Sequence, residues 1–207
     1  MSGRLPGWMW WLSAFLSIAV AVVSFRYLPR VGPLPAAILG NGFANPFLNL
    51  HVAGAATALL ISPFQFIPGL RSRRLGVHRW LGRLYALACV FGGACGLVLS
   101  FASTAGPIAG LGFGLLAVIW LFVTVRAWLL ARAGRYDEHR RWMIRSFALT
   151  FAAVTLRIYL PLSQVMGLPF LESYRVIAYL AWVPNLLVAE LYLRTGHARP
   201  PLAVAAG

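Results

Sequence analysis

Residues 139–164 read HRRWMIRSFALTFAAVTLRIYLPLSQ, and the stretch is apolar enough to cross a membrane while carrying a polar line along its length. His139, Met143, Ser146, Thr150, Ala153, Arg157, Pro161 and Gln164 follow one another at intervals of three or four residues, which places them on one face of an α-helix. Lipid does not tolerate such a face, so it must look into protein or water. A charge such as Arg157 inside a membrane span marks a functional site by default.

The rest of the chain has the same character. Of its 207 residues 60% are hydrophobic and only 11% charged, with a mean hydropathy of +0.78, values that exclude a soluble domain of ordinary composition. Apolar runs long enough for a ~30 Å hydrocarbon core fall at about residues 8–25, 48–68, 79–102, 111–131, 142–163 and 174–193. The expected fold is therefore all-α, a single integral membrane bundle of six transmembrane helices over residues 1–194, followed by a disordered tail at 195–207. The first run opens on Trp8, Met9, Trp10 and Trp11 and has no small-residue cleavage site, so it reads as a retained span rather than a signal peptide.

The net charge of +14 comes entirely from arginine, since there is no lysine. These arginines sit in short loops between apolar runs, where membrane topology accounts for them, and nucleic-acid binding is not expected. One loop carries Arg71, Arg73, Arg74 and Arg79, and another carries Arg132, Arg135, Arg140 and Arg141, whereas the link at 103–110 is uncharged. The positive-inside rule puts both basic loops and both termini in the cytoplasm. The segment 26–49 becomes an outer loop with a short interfacial piece at 34–40. The expected location is the bacterial cytoplasmic membrane, with anionic lipid at the cytoplasmic loops.

Two further spans carry polar or small stripes. The second aligns His51, Gly54, Ala58, Ser62 and Gln65, and the third aligns His78, Gly82, Tyr85, Cys89, Gly92, Gly96 and Ser103. Gly92-x-x-x-Gly96 is the small-residue pattern that lets helices approach closely, and helix packing is its ordinary reading. Cys89 and Cys95 are separated by ~9 Å of helix rise, too far for an undistorted disulfide. The fourth span is almost purely apolar and reads as packing and anchoring. In the last, Pro184 frees a backbone carbonyl that Asn185 is expected to satisfy, and Glu190 is expected to pair with Arg194 one turn on.

Helix rise sorts the candidate site residues by depth. His139 and Arg157 are ~27 Å apart along one helix and cannot share a small site. His51 begins an inward-running span and lies level with Arg157, while His78 and His139 begin outward-running spans. The outer cluster is then His51, Arg157, Tyr159 and Gln164, suited to a carboxylate, a quinone carbonyl or a haem propionate, although Arg157 could instead snorkel to headgroups. The inner cluster is His78 and His139, two imidazoles of the kind that ligate one b-type haem, with Arg79, Arg83, Arg140 and Arg141 available for its propionates. Interfacial histidines bonded to a loop are the plainer alternative. No metal site is expected from Asp137, Glu138 and His139, because consecutive helix residues do not face one point.

The segments 51–74, 78–85, 138–157 and 182–191 together resemble a family of bacterial predicted multi-pass membrane proteins, domain of unknown function 2306. The resemblance implies a membrane location and no activity, substrate or cofactor. Three functions fit the residues. The first is a haem b-binding or quinone-linked redox membrane protein. The second is a non-enzymatic assembly factor or accessory subunit that binds another membrane protein or its own copies through small-residue faces. The third is a small-anion transporter or sensor at Arg157, which the lack of an inverted repeat disfavours.

Overall fold

The structure, a computed structural model, describes residues 7–195. The chain forms α1 (Gly7–Phe25), a short α2 (Ala36–Leu39), α3 (Ala44–Ile61) running into a 3₁₀ turn (Ser62–Phe66), α4 (Pro68–Arg73), α5 (Leu75–Ser100), α6 (Pro107–Arg132), α7 (Tyr136–Thr150), α8 (Ala152–Val165), α9 (Phe170–Leu180) and α10 (Val183–Thr195). Among the described residues six helical units are long and apolar enough to cross a membrane, the fifth being α7 with α8 and the sixth α9 with α10. The expected fold class holds, and α2 occupies the place of the expected interfacial piece. The second span starts at Ala44, four residues before the apolar run suggested. Apart from Thr195, which closes α10, the expected tail lies outside the described residues.

Small residues face inward and large apolar ones outward. On α1 the buried positions are Ala14, Ser17, Ala21 and Ser24, whereas Trp8, Trp11, Phe15 and Val22 are exposed. In water such apolar surface would be an association hazard; in a bilayer it meets lipid, and small residues let backbones approach.

The stripes of the second and third spans meet each other. A Cβ added at Gly54 would lie 2.7 Å from Gly92 N and 2.8 Å from Ala88 O, and one at Gly92 would lie 2.8 Å from Ala55 N. Backbone thus touches backbone where α3 crosses α5. Cys89 and Cys95 are both free thiols.

Below that crossing, α5, α6 and α7 share a buried hydroxyl network whose proton directions follow from donor counts. Thr150 Oγ1 donates to Ser146 O at 2.8 Å and receives Trp120 Nε1–H at 3.0 Å. Its one proton being used, Tyr85 O–H must donate to it across 2.9 Å. Ser146 Oγ–H then donates to Tyr85, and Thr124 Oγ1–H to Ser146, each at 2.8 Å. The fourth span is therefore not merely apolar packing: Trp120 and Thr124 both enter this network. The sequence hides them because one indole and one hydroxyl barely alter its hydropathy.

Both of the last two spans are broken near mid-length, at Phe151 and at Ala181–Trp182. Pro184 accounts for the second break, having no N–H to give. The Asn185 amide bridges the two joints, with Nδ2 2.9 Å from Thr155 Oγ1, 3.0 Å from Ala181 O and 3.3 Å from Ala148 O. It reaches the carbonyl one residue beyond the one Pro184 frees, and so ties α10 to α7 and α8 rather than only repairing its own helix. Asn185→Leu is expected to cost about 1–2 kcal/mol, since bilayer hydrogen bonds average roughly 0.6 kcal/mol each; thermal unfolding in detergent measures it.

Glu190 also finds a partner on another helix. Its carboxylate takes a two-pronged contact from Arg145, with Nε at 2.5 Å and Nη2 at 2.9 Å, in place of the expected Arg194 pair. Arg145 in turn lies over the Trp142 ring, 4.9 Å from its centroid. A fork–fork pair between packed helices is geometrically better than an i,i+4 contact on one surface.

Candidate functional site

At the end of the bundle opposite the two arginine loops, a cavity of about 240 Å³ runs inward between the helices. Its walls are mainly apolar, with Leu59, Leu116 and Leu149 deep inside, and Trp120 and Thr150 of the hydroxyl network also line it. Toward its mouth, at the connections that carry Asn41 and Thr104, the lining turns polar and includes His51, Arg157 and Tyr174.

Each polar group is held by an identifiable contact. The His51 imidazole donates from Nδ1 to Gly92 O at 2.8 Å, because a carbonyl can only accept. Gly96 makes room for the ring, since a Cβ there would stand 2.9 Å from Nδ1 and 3.0 Å from Cε1. The two glycines of the GxxxG pattern therefore have separate uses, one for helix crossing and one for seating a histidine. Asn41 donates to Leu99 O at 2.8 Å and accepts Phe43 N–H at 2.9 Å, fixing the loop before α3 to the end of α5. Tyr174 is set by Phe170, which stacks on it at 5.5 Å, and by Phe113 at 5.2 Å.

Arg157 bends back toward the middle of the bundle, its Nη1 donating to Ala153 O at 3.0 Å. It does not snorkel outward. Neither of the ion pairs recorded among the described residues, Arg135–Glu138 and Arg145–Glu190, includes it. Its electrostatic neighbours are Tyr27, Tyr174 and Arg26, and Arg26 has a buried Nε without a partner. The cavity mouth thus holds the Arg157 charge with no carboxylate paired to it among the described residues.

Of the expected outer cluster, His51 and Arg157 come together on this cavity. Gln164 does not: it is exposed at the C-terminal turn of α8, with Nε2 3.5 Å from Ser163 Oγ and 3.4 Å from Leu168 O. Arg157 and Gln164 both lie on α8, but from Pro161 onward the helix end is largely exposed, Gln164 and Val165 included, so the last members of the stripe leave the bundle. Tyr159 packs against the central apolar core instead. Tyr174, Tyr27 and Asn41 were missed, although Tyr174 opens the sixth span at the depth of Arg157 and depth sorting alone would have found it.

The inner pair occupies the arginine-loop end. His139 Nδ1 donates to Ala127 O at 2.8 Å, and His78, whose Nδ1 is buried without a partner, has His139, Arg71 and Arg79 as electrostatic neighbours. Arg79 and Arg140 are exposed, and the cavity reaches neither histidine. Glu138 is occupied by Arg135, at 2.6 and 2.7 Å. Among the described residues no three His, Cys, Asp or Glu side chains converge as a metal-binding group.

Among the described residues, six helical units long and apolar enough to cross a membrane surround a polar-mouthed, mainly apolar cavity, the architecture of a multi-pass membrane protein. A family model described as predicted membrane protein, DUF2306, matches residues 48–193, and the chain belongs to that family. Comparison with curated proteins and with solved structures returns no match.

Proposed function

We propose that this is a quinone-linked redox membrane protein whose cavity takes the head of an amphipathic quinone. The observation that carries the reading is the convergence of Arg157, paired with no carboxylate among the described residues, and a fixed His51 on one mainly apolar cavity. An unpaired guanidinium in a low-dielectric site favours an oxygen-rich, electron-rich head. The apolar walls suit a hydrophobic body, as in most small-molecule sites.

Decyl-ubiquinone and menadione, each titrated in oxidised and in reduced form into detergent-solubilised protein, are expected to stabilise it against thermal unfolding, by about 2.7 kcal/mol at a hundredfold excess over Kd. Arg157→Gln is expected to weaken binding tenfold or more, and Gln164→Ala to leave it unchanged. Failure of both compounds, oxidised and reduced alike, to stabilise the folded protein would overturn the reading and favour the accessory-subunit alternative.

A haem b between His78 and His139, with Arg79 and Arg140 near its propionates, is a second reading. The bond from His139 Nδ1 to Ala127 O favours it, because it leaves Nε2 free in the manner of oriented metal-ligating histidines. It requires a reducible Soret band that His139→Ala removes. The basic loops, exposed at Arg71, Arg73, Arg74 and Arg140, are assigned to the cytoplasmic side of a bacterial inner membrane and to anionic lipid on the positive-inside argument.

A further inference from the structure

The quinone reading leaves open which redox form the cavity prefers, and the hydrogen-bonding roles at its mouth decide that. His51 spends its Nδ1–H on Gly92 O at 2.8 Å and has no other hydrogen-bond partner among the described residues. Gly96 holds the ring against α5, so the ring cannot rotate to exchange its two nitrogens without losing that bond. In the neutral imidazole Nε2 is then an acceptor only. Arg157 is a donor only, with Nη1 on Ala153 O and its remaining N–H groups available. One wall of the mouth therefore asks for a donor and another for an acceptor.

A quinone offers carbonyl oxygens and no donor, so an oxygen beside His51 would face a lone pair. A quinol has hydroxyl groups that donate and accept. We infer that the cavity is selective for the reduced quinol, one hydroxyl donating to His51 Nε2 and an oxygen of the same head accepting from Arg157. No electron moves in this step, and no covalent bond breaks. The hydroxyl proton stays on the quinol oxygen and is hydrogen-bonded to the imidazole, so His51 acts here as a binding and positioning residue. Tyr174 and Asn41, on the same polar stretch of lining, border the head without supplying a fixed acceptor.

The inference rests on the quinone reading, and its test is arranged so that the two can fail separately. Detergent-solubilised protein is titrated anaerobically with decyl-ubiquinol, with decyl-ubiquinone, and with the dimethyl ether of the quinol, which keeps the shape and lacks the hydroxyl protons. The quinol is expected to bind at least tenfold more tightly than either other compound. His51→Phe, which keeps an aromatic ring over Gly96, is expected to bring quinol and quinone to within about twofold of each other. Equal or tighter binding of the quinone to the unaltered protein would overturn the inference and leave the quinone reading standing. Binding of none of the three would overturn both. Should His51→Phe fail to fold, the ether comparison on the unaltered protein decides the matter by itself.

Discussion

Gly54→Ala is expected to lower stability by more than about 3 kcal/mol, beyond the usual range for overpacking a core, and to leave little folded protein in detergent. The reason is what the methyl group meets. Its Cβ would lie 2.7 Å from Gly92 N, 2.8 Å from Ala88 O and 2.8 Å from Gly92 Cα, all backbone of α5, which cannot turn aside as a side chain can. Relief requires α3 and α5 to separate. That movement would also stretch the 2.8 Å bond between His51 and Gly92 O, one turn away. A thermal melt of the variant therefore reports on the crossing, and residual quinone binding in any folded fraction reports on the histidine. By contrast, Gly69 and Gly76 have nothing within 4 Å of such a Cβ, and alanine at either is expected to be neutral to within about 0.5 kcal/mol.

Tyr85→Ala is expected to cost about 3–5 kcal/mol, the range for truncating a large buried aromatic, whereas Tyr85→Phe should cost only about 1–2 kcal/mol. Tyr85 is 1% exposed and sits in the main apolar core. Phenylalanine keeps the ring and removes two hydroxyl bonds, to Ser146 and Thr150. At roughly 0.6 kcal/mol per bond in a bilayer the bonds themselves are modest, and the rest is the penalty for leaving Ser146 Oγ–H without an acceptor. A double-mutant cycle of Tyr85→Phe with Ser146→Ala should show coupling of at least 0.5 kcal/mol. Additive losses would mean that the two hydroxyls act independently.

Much of the architecture was legible before any coordinates, because crossing a membrane imposes a length and a hydropathy that composition cannot disguise. The six spans, the facing small-residue stripes of His51–Gln65 and His78–Ser103, and the depth match of His51 with Arg157 all follow from apolar length and helical periodicity. Less was legible at the joints. Helical periodicity groups Gln164 with Arg157, but the end of α8 past Pro161 is exposed, and that removes Gln164 from the cavity. Glu190 was given its nearest sequence neighbour, while a guanidinium on α7, 45 positions away, meets it more squarely.

The sequence by itself determined that this chain spans a membrane, how many times it does so, and which faces of its helices cannot look at lipid. Those properties depend on each segment's own transfer from water to hydrocarbon, a sum over local residues. Only the tertiary structure decided what each hidden face meets: that Gly96 seats His51, that Trp120 and Thr124 complete the Tyr85 network, and that Arg157 turns inward to a cavity bordered by Tyr174. Those outcomes depend on distances of a few ångströms between helices far apart in the chain. Lipid supplies no periodicity from which such distances can be read, because helix partners in a bilayer are chosen by shape and by matched donors and acceptors.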